Sequence, residues 1–298
     1  MVRPSDEPTS LVGRSAEVTA VGGLLASARL VTLTGVPGVG KTRLALQVAQ
    51  RYQHRFRGGV WFVELAAAGD SALVAHTVAH AVGLREDVGD DPMVLICEHL
   101  RERRALLVLD NCEHLVQPCA VLVTTLLRAT RRLRILVTSR HVLRAAGEHL
   151  WQVQPMSVEA EKAEPNGVGE AVELFTQRAG AAVPTFELTA GNKAQVEAVC
   201  RRLDGIPLAL ELGAASLRTM SLSQLLIGLD QRFEVLGRGP RRPMGRHKTL
   251  RAALDGSFEL CEPAERTLWA RLSVFAGSFD LQAIEEVCTG GGIQRLKG

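Results

Sequence analysis

The residues with the clearest chemistry lie together in Gly35-Val36-Pro37-Gly38-Val39-Gly40-Lys41-Thr42-Arg43. An apolar run, Val31 to Thr34, enters this stretch and a helical pattern leaves it, so the G-x-x-x-x-G-K-[ST] spacing stands between a strand and a helix, the context it requires. Glycines at 35, 38 and 40 let successive backbone N–H groups turn inward as an anion cradle at a helix N-terminus. Lys41 can reach the β- and γ-phosphates of a nucleotide, and the Thr42 hydroxyl can ligate Mg²⁺. Such a loop also needs an acid at a strand end to hold the metal through its water shell. Leu106-Leu-Val-Leu-Asp110 supplies one, at the carboxyl edge where open α/β sheets bind ligands. The next residue is Asn111, whose amide cannot accept a proton at neutral pH, so hydrolysis is expected to be slow. Glu113 is the candidate substitute for the water-activating carboxylate; its other reading is a surface cap. A third apolar run, Ile135-Leu-Val-Thr138-Ser139-Arg140, ends in a cation. If its strand lies between the other two, Arg140 points towards the γ-phosphate, where a guanidinium can bind oxygens bidentately and sense them.

These residues need a sheet to hold them at one edge. Strands are predicted at Val31–Thr34, Val60–Leu65, Leu106–Asp110, Ile135–Thr138 and Leu150–Val153. Helical periods fill Ser15–Ala28, Thr42–Phe56, Ser71–Val82, Pro92–Arg103 and Gln117–Ala129, and Leu44, Val48, Tyr52 and Phe56 form one apolar stripe. Short apolar strands with helical crossovers give an α/β fold with a mostly parallel five-stranded sheet covered on both faces. Ser157 to Val168 is polar and reads as a linker. Beyond it the strand signal stops, and Ala171–Ala182, Asn192–Leu203, Pro207–Leu217 and Ser221–Leu229 make a small helical unit. A second linker, Gly237-Arg-Gly-Pro-Arg-Arg-Pro-Met-Gly245, precedes helices near Thr249–Leu260, Pro263–Val274 and Leu281–Val287.

The chain of 298 residues has 46% hydrophobic and 22% charged residues and a net charge of +3, too small to argue for nucleic acid by itself. Twelve aromatics are few for a base-stacking surface. No apolar run reaches the roughly 18 residues of a membrane span, and MVRPSDEPTS lacks a signal-peptide core, so a cytoplasmic protein without membrane contact is expected. The six cysteines (97, 112, 119, 200, 261 and 288) form no C-x-x-C pair and are expected to be free thiols. His76 and His80 lack the intervening Glu of H-E-x-x-H and read as helix-surface residues. No N-K-x-D motif for guanine occurs.

With these residues in place, the chain resembles the nucleotide-binding core of the STAND ATPases of the NB-ARC/AP-ATPase type, and most of all the branch found in bacterial LuxR- and SARP-type transcriptional regulators. The resemblance rests on Leu11-Val12-Gly13-Arg14, LVTLTGVPGVGKTRLA, LLVLDNCEHL, ILVTSR, CRRLDGIPLALELGAA and RHKTLRAALDGSFELCEPAERTLWARLSVFAGSFDL, in family order over nearly all of residues 11 to 288. It implies an ASCE-type P-loop domain over 11–157, a linker at 158–169, a helical domain over 170–236, a linker at 237–246 and a winged-helix domain over 247–289, with a flexible 1–10 and a tail at 290–298. It also implies that Val12 and Arg14 run along the base and ribose, and that Pro207 packs against the adenine. His247 would open the winged helix near the phosphates. A Pro after Gly205 is in any case an ordinary first residue of a helix. The function so implied is an ATP/ADP- and Mg²⁺-dependent switch, with self-association on activation and with sensor and effector partners. The competing expectations are a turnover ATPase or small-molecule kinase, and direct DNA binding by the winged helix. In this family the winged helix usually serves as a lid, so DNA binding by this chain is not expected.

Overall fold

A computed structural model describes residues 11–66, 73–85, 90–159, 167–230 and 262–272, with 284 and 288. Two compact units divide the chain, Met1–Pro243 and Met244–Gly298. The first unit opens with helix α1 (Ser15–Ser27), strand β1 (Leu30–Thr34) and helix α2 (Lys41–Tyr52). Strand β2 (Gly59–Glu64), helices α3 (Leu73–Val82) and α4 (Pro92–Leu100) and strand β3 (Ala105–Asp110) follow. Helix α5 (Val116–Ala129) and strands β4 (Arg134–Thr138) and β5 (Glu148–Gln152) complete the sheet.

All four strand pairings are parallel and the order is β2-β3-β4-β1-β5. Strand β4 thus lies between β1 and β3, the arrangement on which the expectation for Arg140 depended. Register sets Leu107 beside Ile135 and Leu109 beside Val137, which brings the ends of β3 and β4 level.

Every residue of β3 is buried, as a central strand covered on both faces requires. Alternation sends Leu107, Leu109, Ile135 and Val137 to a core shared with α3, α4 and α5. Leu106, Val108, Leu136, Val31 and Leu33 face the opposite core, under α1 and α2. Each fully buried Leu or Ile contributes about 1.5–3 kcal/mol of transfer free energy. In α2 the buried positions are Lys41, Leu44, Ala45, Val48, Ala49 and Tyr52, the predicted stripe. The α-helix stops at Tyr52, short of the predicted Phe56, and a 3₁₀ turn over Gln53–Arg55 carries Phe56 into the same core.

The helical part of this unit comprises α6 (Glu170–Ala182), α7 (Lys193–Arg202), α8 (Pro207–Ser216) and α9 (Leu222–Asp230). Phe175, Leu203 and Leu225 pack near Gly213, where a Cβ would lie 2.9 Å from Leu203 Cδ1 and would have to push that side-chain end aside. In the second unit α10 (Pro263–Leu272) is described, and Arg271 Nη1 donates to the Cys288 carbonyl at 2.7 Å. The expected winged helix, His247, the 237–246 linker, the 1–10 segment and the 290–298 tail lie wholly or largely outside the described residues.

Candidate functional site

The loop between β1 and α2 is built by backbone geometry. Gly35, Gly38 and Gly40 have φ of 147°, 76° and 96°, positive values that residues with a Cβ rarely adopt. Gly40 is the N-cap of α2 and brings no side-chain acceptor, so the first N–H groups of the helix keep their capacity for an anion. Lys41 is 8% exposed and folds back over this loop, its Nζ donating to the carbonyls of Gly35 at 2.8 Å and Val36 at 3.2 Å. Burial lowers its proton affinity, while the neighbouring Glu113 carboxylate raises it, Arg140 lowers it and Asp110 raises it.

Asp110 ends β3 and is 2% exposed. Its Oδ1 accepts from Thr42 Oγ1 at 2.7 Å and from Thr138 Oγ1 at the end of β4. The Thr138 hydroxyl in turn accepts the Asn111 N–H at 3.0 Å. Burial raises the Asp110 carboxyl above the usual carboxylate range, and the two hydroxyl donors oppose that shift. Asn111 sits at φ 61°, a left-handed conformation that Asn tolerates. This turn carries the chain into Cys112–His114 and sets Glu113 in the site. Glu113 Oε1 pairs with Arg140 Nε at 3.0 Å, and Glu113 Oε2 is buried without a partner. The structure therefore brings Lys41, Thr42, Asp110, Glu113 and Arg140 to one sheet edge.

Arg14 approaches from the other side. It and Gly13 are both left-handed, at φ 59° and 66°. Its guanidinium is buried, with Nη2 donating to Val39 O at 2.8 Å and to Gln154 O at 3.0 Å, and with Glu17 at 3.5 Å from Nη1. Burial lowers its proton affinity, against the attraction of Glu17 and Glu170. Nη1 has no hydrogen-bond acceptor and lies close to Gly40: a Cβ built on that glycine would be 4.0 Å from it. Val12 is buried beside it.

Helix α8 closes the site from the helical side. Pro207 is its first residue and Ile206 its N-cap, with no side-chain cap. The Leu208 N–H donates instead to the carbonyl of Gly38 at 3.2 Å, so the phosphate loop itself satisfies a donor at this helix end. A Cβ on Gly38 would lie 2.8 Å from Leu208 Cβ, and one on Gly40 would meet Pro207 Cγ at 3.9 Å. Arg43 Nη1 pairs with Glu211 on α8 at 3.2 Å, and Arg178 on α6 shares the same carboxylate at 3.0 Å. Gly205 N–H and C=O are held by the Cys200 carbonyl and the Met156 N–H.

Sequence reasoning missed Thr138 as a ligand of Asp110, together with Glu170, whose Oε1 accepts the Arg14 N–H, and Glu211. The signal for Thr138 was present, a hydroxyl residue ending the strand before Arg140. Nothing local marked the two glutamates, which are 156 and 168 residues from their partners. Cys97, Cys112, Cys119, Cys200 and Cys288 are free thiols, as expected, whereas Cys261 lies outside the described residues.

The donor set fits a nucleotide and its metal. A glycine cradle, a buried lysine, a buried guanidinium nitrogen lacking an acceptor and a hydroxyl–carboxylate pair are the groups that phosphates and Mg²⁺ require.

Residues 25–146 match the family model described as an AAA domain. A protein of Mycobacterium tuberculosis named as an HTH-type transcriptional regulator is 46% identical over 267 residues, which are 90% of this chain and 29% of its own length. This chain thus spans less than a third of that regulator. An uncharacterized protein of the same organism is 40% identical over 279 residues, covering 94% of this chain and 69% of its own. Among solved structures, a Walker-type ATPase of Pyrococcus abyssi superposes with a TM-score of 0.59 at 14% identity, over all of this chain and 89% of its own. Among the described residues no helix is long and apolar enough to cross a membrane.

Proposed function

The chain belongs to one family with the M. tuberculosis protein that it matches at 40% identity, carries an AAA-type P-loop domain and has regulator proteins among its relatives, and from that premise we propose that it is a STAND-type adenine-nucleotide switch. The observation that carries this reading is the direct seating of α8 on the phosphate loop, through Leu208 N–H and Gly38 O. A helix capped by the loop that holds the phosphates responds to what that loop binds.

In this proposal Lys41 leaves the Gly35 and Val36 carbonyls to hold the β-phosphate, and Arg14 turns Nη1, which has Glu17 at 3.5 Å but no hydrogen-bond acceptor, to the nucleotide. Thr42 and Asp110 hold Mg²⁺, which neutralises charge on the phosphate oxygens. Val36 and Val39 supply loop N–H groups, Pro37, which has no N–H, shapes the loop between them, Val12 lies under the base, and Pro207 covers it. Arg43 ties the start of α2 to α8 through Glu211.

Arg140 and Glu113 form the reporting end. While they pair with each other, the carboxylate is occupied on one oxygen. A γ-phosphate competes for the Arg140 guanidinium and releases Glu113, whose buried Oε2 can then accept from water. The ADP state keeps the pair, and the ATP state exchanges it. A nucleotide shifts the equilibrium only through such differential contacts. Hydrolysis in this scheme is slow and acts as a timer, in line with Asn111 in place of a carboxylate. The boundaries 11–157 and 170–236 divide the moving parts, and the expected output is a change in partner binding or self-association in a cytoplasmic regulator. His247 and a winged helix at 247–289 belong to the same proposal as a lid.

Calorimetry tests the site. The parent chain is expected to bind Mg·ADP, and Lys41→Ala is expected to lose about ten- to a hundredfold in affinity, the worth of a charged hydrogen bond. Binding at full affinity by the variant overturns the assignment.

A further inference from the structure

At the opposite edge of the sheet, five arginines converge on one cavity. Arg55 follows α2, Arg104 precedes β3, Arg131 and Arg132 lie in the turn after α5, and Arg134 opens β4. The cavity holds about 730 Å³, the size range of small-molecule sites, and no carboxylate lines it. We infer that this cavity is a second anion site, which takes a small phosphorylated molecule bearing at least two phosphates. The inference stands on this cavity alone and does not rest on the switch proposed above.

Four observations support it. First, the guanidinium groups come from separate elements, so the fold and not a local charge run brings them together. Elsewhere in this unit Arg14, Arg43, Arg140, Arg178 and Arg201 each pair with a glutamate. The cavity gathers arginines and no acids.

Second, backbone carbonyls pre-orient two of the five cations. Arg134 Nε donates to Leu25 O at 3.1 Å, and Arg55 Nη1 donates to Gly22 O at 3.4 Å. The Arg55 guanidinium also lies 4.4 Å over the Tyr52 ring. Neighbouring Arg29 is fixed by Nη2 to Thr130 O at 2.6 Å. A guanidinium held on one edge keeps its remaining N–H groups for an oxyanion, at reduced entropic cost.

Third, burial and like charge meet at Arg134. The proton affinity of Arg134 is lowered by burial and then by the like charges of Arg29 and Arg104. A polyanion relieves that repulsion; a single exposed arginine offers no such gain.

Fourth, the wall is apolar where the arginines are not. Leu25, Tyr52 and Phe56 provide it, and Gly22 makes room for it, since a Cβ there would stand 1.9 Å from the Tyr52 ring. A site with apolar wall and clustered guanidinium groups suits an organic phosphate better than a bare ion. A local, half-open concavity suits a small ligand better than a nucleic-acid backbone, which calls for an extended basic groove.

This site is distinct from the phosphate loop. The arginines stand where β3 and β4 begin, and Lys41, Asp110 and Arg140 stand where the strands end, about 17 Å away at 3.3 Å per residue. Helix α2 touches both, with Lys41 at its first turn and Tyr52 at its last.

The test uses inorganic tripolyphosphate and the full chain, with Mg²⁺ in excess of all ligands. Calorimetry is run on the parent saturated with Mg·ADP and, separately, on Lys41→Ala, where binding at the phosphate loop is weakened. A saturable site is expected in both, with affinity at least tenfold above that for orthophosphate. The exposed pair Arg104→Gln/Arg132→Gln should weaken tripolyphosphate at least tenfold while leaving Mg·ADP affinity unchanged. Absence of a second site, equal binding by the double variant, or no preference over orthophosphate overturns the inference. So does binding of a DNA duplex with steep salt dependence in place of tripolyphosphate. Failure of Mg·ADP binding alone bears on the switch and leaves this site standing if Lys41→Ala still takes tripolyphosphate.

Discussion

Asp110 is the residue whose environment makes the sharpest demand. Its carboxyl is buried and its proton affinity raised above the ordinary range, burial being the main cause. The folded chain therefore holds that proton more tightly than the unfolded chain does. Its contribution to stability is fully present below the unfolded carboxylate value of about 3.9 and is lost as pH rises through the folded value. Asp110→Asn removes this pH-dependent cost and keeps an oxygen for the Thr42 and Thr138 hydroxyls. In nucleotide-free protein the variant should have the higher denaturation midpoint at pH 7, with the difference shrinking towards pH 4. The same variant should lose the Mg²⁺ dependence of ADP affinity. Denaturant titrations at the two pH values check the first outcome and calorimetry with and without Mg²⁺ the second. At this scale Lys41, Thr42 and Asp110 were legible, because the loop spacing and the strand-ending acid are local patterns. The pairing of Glu113 with Arg140 was not. Both residues were marked as candidates, but only the left-handed turn at Asn111 and the level ends of β3 and β4 bring them to 3.0 Å.

Elements were predicted where periodicity was strong and misjudged where contacts decide their ends. All five strands and the helices through α9 formed within a few residues of expectation. Strand β5 starts and stops earlier than the apolar run Leu150–Val153 suggested. Its limits follow the pairing of Leu30 to Thr34 with Glu148 to Gln152, which the apolar pattern does not encode. Helix α8 begins at Pro207 as an X-Pro start requires, yet its seat on Gly38 was not legible: the resemblance to a known family implied only that Pro207 packs against the adenine. The approach to that helix depends on Gly205, at φ 63°, where a Cβ would lie 2.1 Å from the Met156 carbonyl oxygen. Gly205→Ala should therefore cost about 2 kcal/mol or more, from left-handed strain plus displacement of the 153–156 segment. Equilibrium unfolding in urea measures it, and ADP affinity should fall with it, since α8 is held through this turn. By contrast Leu107→Ala, in the core away from the site, should cost about 2–5 kcal/mol of stability without changing nucleotide affinity in the folded protein.

The whole molecule joins a sheet that holds the phosphate-binding groups to a helical part that sits on them. Polar contacts between these parts include the Gly38 carbonyl on Leu208 N–H, the Glu211 carboxylate on Arg43, and Glu170 on the Arg14 N–H. In the proposed switch such contacts, each worth about 1 kcal/mol, are small enough for a bound phosphate to tip the balance. The chain spans only 29% of the related M. tuberculosis regulator. The most direct test of the switch is hydrogen exchange at the amide of Leu208, read on the 205–212 segment with Mg·ADP and then with a non-hydrolysable Mg·ATP analogue. A switch predicts protection with ADP and markedly faster exchange with the analogue, as α8 leaves the Gly38 carbonyl. Equal protection in the two states, with both nucleotides shown to be bound, would contradict it.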